Sequence, residues 1–170
     1  MMDLAEDEGI PEGYSCPCLQ YVSAGEPAVD CCSVDCTGPS SGMLTVHIET
    51  VFPSDNFPVA SSGFEPCKAQ TWVASLVVTS ARCARSTNDQ GELVSTDELQ
   101  AAALLMAIDQ YAIVTSLSCC VVNEGVGSKR KRRVQIQESR PQVSEGGCAS
   151  IQVRAFVEAG TICACEPAVS

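Results

Sequence analysis

Basic residues are scarce in this chain of 170 residues: 10 Lys and Arg stand against 21 Asp and Glu, for a net charge of -11. That balance excludes a protein whose whole surface grips nucleic acid, and it favours solubility or a basic partner. Histidine is scarcer still. His47 is the sole imidazole, which removes most Ser-His and Cys-His catalytic arrangements. No stretch reaches the roughly 18 consecutive apolar residues that read as a bilayer span. The N-terminus, MMDLAEDEGIPEG, is acidic where a secretory signal would be basic and then apolar. Neither an export signal nor a membrane span is expected. There is no Walker loop, dinucleotide fingerprint or zinc-protease helix, and no pair of carboxylates is spaced for acid-base work. The chain is expected to be no enzyme and to need no cofactor.

Cysteine is what the chain has in quantity, with 12 in 170 residues. This falls just below the roughly 8 to 10% that marks a small disulfide scaffold, and 45% apolar residues can build a core for one domain without crosslinks. Three readings stay open: buried thiols, metal ligands, or disulfides formed once the protein leaves a reducing cytoplasm. The clusters Cys16, Cys18, Cys31, Cys32, Cys36, Cys163 and Cys165 near the two ends are the disulfide candidates, with pairing unreadable. Zinc sites repeat Cys-x2-4-Cys twice, and only Cys32 to Cys36 comes near that spacing. Cys16, Cys18, Cys32 and Cys36 are the corresponding metal candidates.

Residues 1–42 hold eight acids, no Lys or Arg, five of the cysteines and repeated Pro, Gly and Ser. This reads as an irregular acidic arm, to be held by a neighbouring subunit. Within it Gly38-Pro39-Ser40-Ser41-Gly42 has the spacing of a nucleophile elbow, but no strand precedes it and no helix follows, so it reads as a turn. From Met43 alternation sets in, with Leu44, Val46 and Ile48 on one side and Thr45, His47 and Glu49 on a more polar one. The strand is expected to end at Phe52-Pro53, opening a loop to about Pro66. Gln70 to Cys83 reads as a central strand, apolar on both faces.

Ser95-Thr96-Asp97-Glu98 is a capping box. It opens a helix expected to reach Cys120, with Leu99, Ala103, Met106, Ile113 and Leu117 as its core stripe. Val134–Glu138 and Ala149–Glu158 read as a terminal antiparallel hairpin linked through Pro141, followed by an irregular tail. The order β-β-α-β-β indicates an α+β domain over residues 43–160, a mostly antiparallel sheet with one long helix, between the arm (1–42) and a short tail (161–170). Lys129, Arg130, Lys131, Arg132 and Arg133 hold half of all basic residues in five positions. Against so acidic a body they form a patch for DNA phosphates or for a neighbour's acidic arm.

Several segments carry a family likeness: Val51-Phe52-Pro53-Ser54 with Phe57-Pro58, Asn88-Asp89-Gln90-Gly91 before Ser95 to Leu99, Ser118-Cys119-Cys120, and Glu145-Gly146-Gly147-Cys148. In these the chain resembles cysteine-rich virion proteins of long-tailed actinobacteriophages, from the genes for head-tail joining and tail termination. The likeness covers residues 31–158. The element order also looks like the tail-terminator fold, though an acidic arm replaces its opening helix. The resemblance implies a structural ring in the virion neck, assembled in the host cytoplasm. It would be a homo-oligomer, a hexamer for a terminator, bound to the tail tube protein and to head-tail connector or stopper proteins, with DNA passing its lumen and no membrane involved. A head-tail stopper or adaptor is the alternative within that class. From another class stand a secreted disulfide-rich module and a zinc-stabilised one.

Overall fold

The computed structural model describes residues 17, 19–26, 42–63, 70–83, 93–123, 132–145 and 148–162. They form one sheet and one helix: β1 (Leu19–Ser23), β2 (Gly42–Ser54), β3 (Gln70–Cys83), α1 (Thr96–Asn123), β4 (Val134–Glu145) and β5 (Cys148–Ile162). The strands lie in the order β1-β2-β3-β5-β4. All neighbours are antiparallel except β1 and β2. The architecture is α+β with a mostly antiparallel sheet, as the alternation and the capping box imply.

β3 sits in the middle and is buried on both faces, through Val73, Val77 and Ala81 on one and Ala74, Val78 and Arg82 on the other. α1 crosses one face, its backbone close to β3, β5 and β4 but not to β1 or β2. Val78, Ile151, Val153 and Ala155 of the sheet pack there against Met106, Ile113 and Leu117 of the helix. The capping box forms as expected: the Ser95 N–H donates to Glu98 Oε2 (3.1 Å) and the Glu98 N–H to Ser95 Oγ (3.2 Å). At 28 residues the helix is about 42 Å long.

Five expectations need correction. The arm is not irregular throughout, because Leu19–Ser23 pairs in parallel with Met43–His47. Five residues make too short a pattern to stand out, and the strand exists because β2 offers it an open edge. β2 runs through Phe52 and Pro53 to Ser54, where a loop was expected. The Pro53 carbonyl accepts from the Ser61 N–H (2.9 Å) on the side away from β3, so the missing amide of Pro53 costs no ladder bond. Pro141 is tolerated inside β4 for a like reason, since β4 is the sheet's outer strand. β5 continues through Gly160 to Ile162 in place of an irregular tail. Finally, the polar side of β2 is the more buried one: Thr45 and His47 are enclosed, while Ile48 on the apolar side is exposed.

Two local devices fix the strand geometry. A bulge between Ile48 and Thr50 shifts the alternation, so that Thr50 and Phe52 follow Glu49 onto the face opposite the helix. Gly42, with φ of +147°, opens β2 so close to β3 that a Cβ there would lie 2.5 Å from the Ala81 carbonyl oxygen and 2.9 Å from Arg82 Cδ. Gly42→Ala should therefore lower the unfolding free energy by about 1–3 kcal/mol. Gly63→Ala, with nothing within 4 Å, should stay within about 0.5 kcal/mol of wild type. Parallel urea titrations of the two variants check this.

Candidate interaction surfaces

One buried ion pair sets the position of the helix. Arg82 on β3 grips Asp109 on α1 with two parallel bonds, Nε to Oδ2 at 2.8 Å and Nη2 to Oδ1 at 2.7 Å, and both side chains are 2% exposed. Ser80 Oγ donates to the same carboxylate at 2.7 Å. A desolvated fork of this kind tolerates little rotation or sliding, so it locks the face that α1 turns to the sheet. Sequence reasoning missed both residues. The available signal was that Asp109 is the only charge between Gln100 and Asn123 and falls between Met106 and Ile113 on the core stripe. At the start of that stripe Leu99 and Ala103 are exposed instead of buried.

With the core side fixed, the outer side of α1 is an uncharged seam. Ala101, Leu104, Ile108, Tyr111, Thr115 and Ser118 recur at alternating steps of three and four, a straight line along a helix. Leu104 is 56% and Tyr111 72% exposed. The composition is apolar enough that Thr96–Cys119 has the length and hydropathy of a membrane-crossing helix, although polar residues interrupt its apolar run. Asp109, which would oppose crossing, is held by Arg82.

A second uncharged surface lies beside the helix. Since α1 covers β3, β5 and β4, no described element lies over the β1–β2 half of the same face, where Leu44 and Val46 pack against the edge of the core cluster. Register places Gln20 beside Leu44 and Val22 beside Val46 there, with Ile48 next in the alternation. Val22 is 81% and Ile48 53% exposed. Between this shelf and the flank of α1, through Ala112, Ser116 and Leu117, runs an apolar groove of about 270 Å³ with Asp109 and Ser80 at its floor.

The opposite face of the sheet carries a polar network beside the apolar Val73, Val77 and Ala81. Arg154 donates from Nη2 to Glu49 Oε1 (2.8 Å) and from Nη1 to Glu138 Oε1 (3.0 Å), while Ser75 Oγ donates to Glu49 Oε2 (3.1 Å). Gln142 Nε2 donates to Gln152 Oε1 (3.1 Å). His47 borders this open groove of about 450 Å³, and its Nδ1 has no hydrogen-bond partner. The one carboxylate near it in sequence, Glu49, is committed to Ser75 and Arg154.

Of the basic run, Arg132 and Arg133 are described. Arg133 is engaged within the subunit: its Nε donates to Glu158 Oε2 at 2.9 Å, and the guanidinium lies 4.9 Å from the centre of the Phe57 ring. Arg132 is exposed. Lys129, Arg130 and Lys131 lie outside the described residues, as do Cys16, Cys18, Cys31, Cys32, Cys36, Cys163 and Cys165 and the segment 38–41. Cys83 and Cys148, which stand opposite one another in the β3–β5 register, are both disulfide-bonded. Neither was among the sequence candidates, because both sit in strands and apart from the clusters. Among the described residues no group of three or more His, Cys, Asp or Glu could hold a metal ion. Compared with family models and with curated proteins, the chain matches none.

Proposed function

We propose that the protein is a structural subunit of a phage head-tail junction, a tail terminator whose ring caps the tail tube and joins it to the neck. The observation that carries this reading is the uncharged seam of α1 from Ala101 to Ser118, about 26 Å of helix surface, on a molecule of net charge -11. A face so different from the remaining surface marks a site of protein contact. The acidic arm adds contact area to a small subunit interface, and the exposed end of the basic segment supplies charge for a neighbour's arm or for DNA in the lumen. The tube protein and the connector or stopper proteins are its partners at the two ends of the ring.

Electron microscopy tests the reading. The purified full-length chain should form rings with a central hole. Gold-labelled antibody should mark the head-tail junction of assembled particles. A protein that stays monomeric at high concentration, or label found only away from the neck, would overturn it.

A further inference from the structure

The two outer strands of the sheet are built differently. β4 carries the devices that keep an open edge from pairing with other chains: Pro141, bulges between Ile136 and Glu138 and between Gln142 and Glu145, and the charges of Glu138 and Arg140. β1 carries none of them. Leu19, Gln20, Tyr21, Val22 and Ser23 include no charge and no proline, and their register with β2 is unbroken. Five residues is an ordinary strand length, so shortness does not blunt this edge either. We propose that β1 receives an extended strand from a partner protein, one whose flanking residues are basic.

The backbone of β1 is half used. It pairs with β2 on one side, and among the described residues nothing bonds to the outer backbone of Leu19–Ser23. The outward N–H and C=O groups form a template about 17 Å long. An added strand satisfies them and joins the five strands already present. Leu19 and Tyr21 on one face and Val22 on the other are all exposed, which gives an incoming strand cross-strand neighbours on both faces.

Charge selects the occupant. Residues 1–42 hold eight acids, and the first basic residue of the chain is Lys68. Glu26, three residues past the strand, is exposed, and Glu12 and Asp30 flank the strand farther along the chain. A second copy laying its own β1 here would bring two such acidic stretches together with no base in either, and repulsion disfavours it. Basic residues at the ends of the incoming strand meet complementary charge instead. The contact stands apart from the ring reading, since it serves a subunit in a ring or outside one.

Peptide binding to the full-length chain tests this. The probe is a fluorescent peptide of alternating Val and Thr with a pair of Lys at each end. One control carries Glu in place of Lys, and another is N-methylated at its central amides, which removes donors from both of its edges. At physiological ionic strength, where attraction without contact is screened, anisotropy should show the Lys peptide binding and either control at least about tenfold weaker. Hydrogen exchange of Leu19–Ser23 should slow on binding. Val22→Lys, at a side chain 81% exposed, gives β1 the kind of charge that guards β4; it should weaken binding by a similar factor and leave the circular dichroism unchanged. No binding, equal binding of either control, or a self-association that Val22→Lys abolishes, which would put a second copy on the edge, overturns the proposal. The ring reading is decided separately, by whether rings form.

Discussion

Arg82→Ala is expected to lower the unfolding free energy by about 3–5 kcal/mol, the usual cost of leaving one partner of a buried ion pair without the other. The Asp109 carboxylate would remain 2% exposed with the fork of two charged donors gone, and Ser80 cannot replace a guanidinium. Asp109→Ala should destabilise as well, because it removes two charge-assisted bonds from the buried Arg82 guanidinium. The double variant Arg82→Met with Asp109→Leu should recover most of the loss, because a well-packed apolar pair avoids the desolvation penalty that the ion pair has to offset. Guanidinium titrations of the three variants check this. A single variant that loses less than about 1 kcal/mol would show that the pair is hydrated. The pair also holds the rotational setting of α1, so the recovered double variant should assemble less well than its stability alone suggests. Light scattering on the same samples separates the two effects.

Ile113→Ala should cost about 2–5 kcal/mol through lost burial and the cavity left behind. Ile113 is enclosed by the sheet cluster of Val78, Val153 and Ala155. Leu104→Ala, nine residues earlier on the same helix, should stay within about 0.5 kcal/mol because its side chain faces outward. The contrast is sharp because both are large aliphatic residues in one element, and composition gives no reason to rank them. With the α1 seam as a contact surface of the proposed ring, the order reverses for assembly. Leu104→Ala weakens the oligomer of a stable subunit, whereas Ile113→Ala weakens the subunit itself. Thermal unfolding and light scattering on both variants read the two quantities separately.

The particular residues show where local reasoning reaches and where it stops. Ser95 and Glu98 are three positions apart and satisfy each other's backbone, so the helix start is written in four letters. Met106, Ile113 and Leu117 follow from the period of 3.6, and β3 from its continuous apolar character. Pro53 and Pro141 point to breaks that do not occur, because a proline is harmless where its nitrogen faces no neighbouring strand. Which side of a strand faces a neighbour depends on the sheet's order, and no single strand contains that information. The same holds for Thr45 and His47, polar by residue type and buried by position.

The candidate contact surfaces divide in the same way. The absence of charge from Gln100 to Asn123 apart from Asp109 is plain in the sequence, as are the acidic arm and the concentration of bases at 129–133. Four of the five strands, the long helix and the α+β class follow from periodicity and turn chemistry, which act between residues close along the chain. Tertiary structure alone decided the rest. It paired Arg82 with Asp109 across 27 positions, set β1 parallel against β2, and placed α1 over three strands of five. Each of these is a contact between distant segments, fixed by where buried charge and apolar area find partners. The seam of α1 is a surface feature only because the ion pair turns the opposite side of the helix to the sheet.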